Sequence, residues 1–566
     1  QPADELPCFA IEGTLNSIAA VLAPYSIEDC VIEDMASSNI FCLAEPSGLG
    51  APYFRQDYGL FFSQSTSLLT QQQIVVLLLE AICFRIARII EDFHSQLPLA
   101  EIYLSGGLSA LPCLQHGIGQ CVSLPIYYLQ QKEASLQGAA LLAVNSKVHC
   151  PQEVSRISIK KKSDKLNKKF LAWKEWLDDL AARKEQVIAY RRHLHQHPEL
   201  SFQEYETSQF IYDEMSKLEN VEVTRPTATS VLVKITGGKP GKKIGLRADI
   251  DALPIQEQRD ELDFKSVVDG KMHACGHDGH TAVLMVATQF LAEHVNELAG
   301  EVYSIFQHAE ELPPGGAKEM VATGLFDDFD FIYGHHLFST MPLGMIDIKP
   351  GPNTGNSDLY ELTIYGKGGH AAFPHTSIDP IIIGSQILAK IQTIISRKMD
   401  PMHAGVISNT VFQAGSPNAL NVIPDTAFLA GSVRTNDKGD RLMIAEEIDR
   451  VAKATCDAYG ATYKLDYLYG YSAVYNNEAT TQIVQNIAEE LFPGKITHLP
   501  PMLGGEDFSA FSDIVPATYI WIGAGNAEKG YDYPHHHPKF ALDEESFLIG
   551  VKMFVAVAMN YSALAE

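Results

Sequence analysis

Apolar and polar positions along this chain recur with two periods, and the switch between them marks its elements. VLVKI (231–235) and KIGLRADI (243–250) have strand composition, and Val302–Phe306 is another short apolar run. HTAVLMVATQFLAEHV (280–295) and DPIIIGSQILAKIQTII (379–395) carry apolar residues at helical spacing. A segment rich in apolar and charged positions predicts a further helix from Leu171 to about His195. SRISIKKKSDKLNKKF (155–170) interrupts the pattern: it is polar, basic and without apolar period, and reads as an exposed linker.

Alternating strand-like and helix-like pieces on both sides of that linker predict an α/β fold. A second change of style follows GPNTGNSD (351–358), where LYELTIYGKGG opens a run of strands with one helix lasting to about residue 470. The expected organisation is a front α/β unit (1–145), a basic linker (146–170) and a main domain in two parts (171–355 and 471–566). A two-layer α+β domain (356–470) is inserted between those parts.

A length of 566 residues suits about three cores, and 46% apolar with 20% charged residues describes a soluble globular protein. The net charge of −26 argues against a nucleic-acid partner. No apolar run reaches membrane-spanning length, since Glu80 interrupts IVVLLLEAICF, so no membrane partner is expected. No secretory signal is visible, and a start at Gln1 instead of Met is compatible with a fragment or a processed chain. Seven of the nine cysteines fall in the first 150 residues without a CxxC pair. That usage predicts free buried thiols in a reducing cytoplasm.

The densest chemistry lies in MHACGHDGH (272–280) and QHAEE (307–311). Soft thiolate, imidazole and hard carboxylate together suit a divalent transition metal. Two adjacent glutamates offer a division of labour, one ligating metal and the other moving protons.

With RRHLHQHPELSFQE (191–204), GLRADIDALPI (245–255), GGAKEM (315–320), YGHHL (333–337), GKGGHAAFPH (366–375), NVIPD (421–425), GGEDFS (504–509) and HHHPKF (535–540), these strings run in order over residues 171–566. They resemble the dinuclear metal-dependent amidohydrolases that include hippurate hydrolase, auxin-conjugate hydrolases and N-acyl-amino-acid deacylases. The resemblance implies a metallo-aminopeptidase-like catalytic domain with an inserted lid or dimerisation domain. It also implies two divalent ions per subunit (manganese or zinc, with cobalt or nickel as other fits), a small N-acyl-amino-acid substrate and a homodimer formed through the insertion.

By position, the resemblance implies Cys275, His277, Glu311, His336 and His536 as metal ligands, with His535 and His537 as neighbouring alternatives to the last. Glu310 falls at the general base, which would serve a hydroxide clamped between the metals. Asp249 and Asp251 would orient metal-bound histidines. His370 would stabilise the oxyanion, often across a dimer, and Asn421 and Arg434 would hold the substrate carboxylate. His193, His195 and His197 read as structural. His308 stands where the family usually has proline, a departure able to alter the strand end that carries Glu310.

The first 145 residues have another resemblance. AIEGTLNSIAAVL (10–22), PSGLGAPYF (46–54), LLEAICFRIARIIEDF (78–93), IYLSGGLS (102–109) and EASLQGAALLA (133–143) look like the C-terminal domain of FGGY, glycerol-kinase-like carbohydrate kinases, which have the actin-like ATPase fold. Gly106 and Gly107 would let backbone approach a nucleotide. Ser105 replaces the usual Asp, Leu111 the usual Asn, and the N-terminal kinase domain is absent from this chain. Half a site does not transfer phosphoryl groups, so the segment reads as a remnant with a structural or interaction role. The leading expectation is an N-acyl-amino-acid hydrolase. The alternatives are a metallodipeptidase and, from another class, a kinase half-domain that needs its missing partner.

Overall fold

A computed structural model describes residues 164–561 continuously and, before them, 22, 27, 30–38, 40–44, 60–62, 69–96, 102–104, 110–129 and 154–156. Ser105, Gly106 and Gly107 lie outside the described residues. The chain divides into two compact units, residues 1–185 with 488–494, and residues 186–487 with 495–566.

Within the first unit, a 26-residue helix, Gln71–Gln96, carries the long apolar run, and most of its side chains are buried. Strands Ile102–Leu104 and Ile126–Leu129 pair in parallel, and Val154–Arg156 pairs antiparallel to the latter. This corrects the linker expectation for 155–170. Its first residues belong to a sheet, and helix α1 (Asp164–Gln196) begins seven residues before Leu171. The reason is electrostatic and steric. Glu80 is buried in the apolar helix and needs a counter-charge, which Lys169 supplies, while Phe170 packs on Phe84 at 5.5 Å. A basic stretch that looks solvated in one dimension is thus partly interior.

The second unit is built on an eight-stranded mixed sheet. Its strands are β1 (Val221–Thr224), β2 (Val231–Thr236), β3 (Lys239–Asp249), β4 (Ala299–Gln307), β5 (Phe331–Pro342), β6 (Ile346–Asp347), β11 (Ile496–Thr497) and β12 (Ala517–Gly525), in the order β11-β6-β12-β5-β3-β4-β2-β1. The central strands β12, β5, β3 and β4 run parallel. Eight of the nine residues of β12 are buried, the mark of a strand covered on both faces. Helix α2 (His277–Glu293) is buried over nearly its whole length and packs against α5 (Phe547–Tyr561). The C-terminal ends of the parallel strands converge, and ligands of α/β folds gather at that edge.

Between β6 and β11 the chain forms a separate four-stranded antiparallel sheet. Its strands are β7 (Asn356–Tyr365), β8 (Gly405–Ala414), β9 (Thr426–Thr435) and β10 (Thr462–Leu468), in the order β8-β9-β7-β10. Along β7 buried positions alternate with more exposed ones, so this sheet has one covered face. Helices α3 (Pro380–Arg397) and α4 (Lys438–Tyr459) cover it through Ile383, Ile387, Ile391, Ile444 and Ile448. Asp379 caps α3 and Asp437 caps α4 by accepting from first-turn backbone N–H groups. The mixed α/β class is as expected.

Candidate metal centre and active site

Five elements deliver side chains to one point. β3 ends at Asp249, followed by Asp251; α2 opens with Gly276 between Cys275 and His277; β4 leads into Glu310 and Glu311; β5 carries His336; and the segment before α5 brings His536. Gly276 has φ +97°, and a Cβ there would lie 2.9 Å from Leu542 Cδ1, so both conformation and space demand glycine. That kink lets neighbouring thiol and imidazole face the same centre.

Cys275 Sγ is 3.5 Å from His336 Nε2, and His536 Nε2 is 3.1 Å from Glu311 Oε1. Ligand atoms of Cys275, His277 and His336 lie within 4.8 Å of one another, as do those of Cys275, Glu311 and His536, and of His277, Glu310 and Glu311. The tautomers follow from the outer bonds. His277 Nδ1 donates to the Asp251 carbonyl (3.0 Å) and carboxylate (3.1 Å), and His336 Nδ1 donates to the Leu337 carbonyl (2.9 Å), so each turns Nε2 inward. His277 Nε2 and Glu311 Oε1 are buried without a hydrogen-bond partner. Buried polar atoms left this way are costly, and a divalent cation would satisfy both.

Charge balance points the same way. Asp249, Asp251, Glu310, Glu506 and Asp507 are buried around the site, and Arg247 is the buried guanidinium shared by Asp249, Glu506 and Asp507. Burial, then the facing carboxylates of Glu506, Glu311 and Asp507, push Glu310 well above the usual carboxylate range. Burial, then Glu311 and Glu310, push the Cys275 thiol up. Burial alone would lower His277, but Asp249 and Asp251 carry it up to about 10. The protein's own imidazole is thus drawn toward positive charge where positive charge is scarce. A thiol, imidazoles and carboxylates in this arrangement fit divalent metal ions.

The match to the profile of peptidase family M20/M25/M40 spans residues 245–560. The chain belongs to that family. Among its M20-type relatives, an N-acyl-L-amino acid amidohydrolase of Geobacillus stearothermophilus is 45% identical over 52% of this chain and 78% of its own length. Thermostable carboxypeptidase 1 of Saccharolobus solfataricus is 38% identical over 68% of this chain and 98% of its own. The solved structure of the YXEP protein of Bacillus subtilis, described as a dinuclear metal binding peptidase from the M20 family, is 35% identical with a TM-score of 0.60. It aligns over 68% of this chain and 99% of its own. The profile of the FGGY carbohydrate kinases' C-terminal domain matches residues 8–146.

In this M20 site the histidine triplet separates by its bonds. His535 donates Nδ1–H to the Cys275 carbonyl (3.2 Å) and accepts the Ser339 N–H at Nε2 (3.3 Å), so both nitrogens are engaged. His537 Nδ1 accepts the Lys539 N–H at 3.0 Å on the surface. His536, at φ +65°, is the one that reaches Glu311. Along β5, alternation sends His336 into the site and His335 to the opposite face, its ring tilted against Phe554 at 4.2 Å. His195 is buried between Asp278 (2.8 Å) and Glu257 (3.1 Å), outside the metal cluster. His308 bonds Glu319 (3.1 Å), and β4 still ends at Gln307.

Asp249 and Asp251 sit behind the histidines. Asp249 Oδ1 accepts from His280 Nδ1 at 2.6 Å, and Asp251 holds His277 while its Oδ2 accepts the Glu311 N–H at 3.0 Å. The fold does not join the other predicted group to them. His370 and Asn421 meet on the inserted domain, where Ala371 N–H donates to the Asn421 carbonyl (2.9 Å). Arg434 lies on β9 and donates Nε–H to Ser432 Oγ at 3.2 Å. Among the described residues, no hydrogen bond or ion pair links these three to the metal cluster.

Sequence reading assigned no role to Glu204, Arg247, Glu506 or Asp507. Arg247 donates to Gln307 (2.7 Å), Asp249 (2.8 Å) and Asp507 (2.9 Å), and Glu506 accepts from Tyr519 Oη at 2.7 Å. Glu204 accepts the Ala309 N–H at 2.8 Å. The available signal was Arg247 itself: a guanidinium inside a buried strand requires buried carboxylates elsewhere.

Proposed function

We propose that this protein hydrolyses the amide bond of N-acyl-amino acids, with Glu310 as the general base. The observation that carries the reading is the convergence of Cys275, His277, Glu311, His336 and His536, two of them with orphaned buried donor atoms, beside the carboxylate of Glu310. When bound, two divalent ions (manganese or zinc, with cobalt or nickel as further fits) would acidify a water and polarise the scissile carbonyl. Glu310 takes the proton of the attacking water on a carboxylate oxygen and returns it to the leaving nitrogen. Asp251 keeps His277 and Glu311 aimed, and Asp249 holds His280 beside them.

The insertion (356–470) acts as a lid on the catalytic domain (171–355 and 471–566) and as its homodimer contact. His370 donates to the carbonyl oxygen as negative charge develops, and Asn421 and Arg434 hold the substrate carboxylate. Similarity to an archaeal carboxypeptidase supports a second reading, a metallodipeptidase with the same machinery. Residues 1–145 are a remnant of the actin-like kinase fold with a structural or interaction role. Gly106 and Gly107 are the vestige of its nucleotide contact. A cytoplasmic setting fits the described cysteines, all free thiols, and no helix among the described residues is long and apolar enough to cross a membrane.

The test is metal content with activity. N-acetyl- and N-benzoyl-amino acids and dipeptides are assayed with protein as purified, after chelation, and after manganese or zinc is restored. Hydrolysis of acyl substrates that follows the metal supports the proposal, and preference for dipeptides moves it to the second reading. A protein that binds no metal overturns both.

A further inference from the structure

The turn that carries the two glutamates is held at three successive points. Ala309, at φ +49°, gives its N–H to Glu204 (2.8 Å), and Glu311 gives its N–H to Asp251 (3.0 Å). Between them the Glu310 carbonyl accepts from Tyr471 Oη at 2.9 Å. The first two partners belong to the main domain on the N-terminal side of the insertion. Tyr471 does not. It lies just after β10, on the segment by which the chain leaves the inserted sheet.

At that crossing the outgoing and returning segments are hydrogen-bonded to each other. Ser357 N–H donates to the Tyr471 carbonyl (2.9 Å), Ala473 N–H to Asn356 Oδ1 (2.9 Å), and Asn353 N–H to the Val474 carbonyl (2.9 Å). The outgoing and returning segments are therefore tied side by side. The Tyr471 ring leaves this pair and lodges between two glycines. A Cβ on Gly315 would come 2.9 Å from its Cε1, and one on Gly505 would come 3.4 Å from its Cδ2. Gly315 has φ +84° and follows the glutamate turn, and Gly505 immediately precedes Glu506. Both neighbours of the ring are thus next to the site, and at Gly315 a side chain would leave the ring no room.

We propose that Tyr471 is a positioning residue that ties the base of the inserted domain to Glu310. Rotation of the inserted domain about these paired segments shifts the root of Tyr471 and, with it, the ring and its hydroxyl. The hydroxyl transmits that shift to the peptide group from which the general base projects. Lid position and base position are then one variable. This rests on the reading of Glu310 as the base.

The test uses the full chain loaded with manganese. Tyr471→Phe keeps the ring in its slot and removes one hydrogen bond. The expected result is a kcat about three- to tenfold lower at unchanged KM, in line with the loss of one neutral hydrogen bond, with metal stoichiometry unchanged. In a Glu310→Gln background the same substitution is expected to cause no further loss, because a residue acting through Glu310 has nothing left to position. Should Tyr471→Phe fold poorly, Gly505→Ala presses on Ser357, 3.1 Å from the added Cβ, whose N–H holds the Tyr471 carbonyl, and is expected to lower kcat at constant KM as well. Losses that multiply in the double variant, or a loss confined to KM, overturn the proposal. Wild-type activity in Glu310→Gln alone overturns the base reading instead, so the two failures are distinguishable.

Discussion

The metal cluster and the group on the inserted domain are built to different standards. In the cluster, His277, His336 and the Glu311 peptide each make a bond behind the donor atom, and Asp251 alone holds two of them. On the insertion, His370's ring accepts one backbone N–H, that of Ala372 at 3.1 Å, Asn421 is exposed, and Arg434 reaches Ser432. Under the proposed roles, the difference follows from what each group must do. Metal donors have to converge before the ion arrives, since the binding energy depends on fixed geometry and mutual desolvation. Groups that read a diffusing substrate need access first, and can be ordered when it binds. Rigidity is concentrated where charge is densest.

The sharpest contrast comes from Glu310→Gln. It is expected to lower kcat about 10²- to 10⁴-fold while metal content by elemental analysis stays at the wild-type level. Loss of metal together with activity would make Glu310 a ligand and redraw the cluster. Next in size is Asp251→Asn. An amide nitrogen cannot accept from the Glu311 N–H and Ser201 hydroxyl, so metal affinity should fall about 10- to 100-fold, with activity regained at high manganese. Titration against a competing chelator reads this directly, and unchanged affinity would deny Asp251 its supporting role.

Arg434→Lys probes the looser group. A point charge replaces a planar fork, and KM should rise about tenfold for substrates with a free carboxylate, with metal affinity untouched. If metal binding changed too, the two regions would not be separable. The smallest effect concerns His195. Burial and Arg191 pull its imidazole down, but Asp278 and Glu257 outweigh them and hold it above the ordinary 6.5. A raised folded value means that the contribution is complete below the unfolded value and is lost as pH climbs through the folded one. The melting temperature of His195→Gln should therefore trail wild type by about 2–4 °C near pH 6, and the gap should narrow above that. A gap that widens with pH would show that the pairing is not ionic.

Much of the fold was legible because its signals are local. The apolar spacing of 280–295 and 379–395 appears as helices His277–Glu293 and Pro380–Arg397, and all of KIGLRADI but its last residue lies inside β3. The basic stretch 155–170 misled because its counter-charge, Glu80, is 89 positions away from Lys169. Tyr471 and Glu204 were equally illegible: each acts by one long-range bond to a backbone group, and a backbone group has no identity in a sequence. His535 and His536 are neighbours of the same type, and only the folded partners of their ring nitrogens tell them apart.

By itself, then, the amino-acid order determined the chemical types available, the period of each element and the glycines that permit a kink such as Gly276. These are properties of a residue and its near neighbours. The tertiary structure alone decided which nitrogen of each histidine faces inward, which carboxylates are left in deficit of positive charge, and that Tyr471, where the chain leaves the insertion, is bonded to the Glu310 peptide. Those outcomes depend on burial and on distances between residues far apart in the chain, where desolvation, not residue identity, sets the energy of a charge.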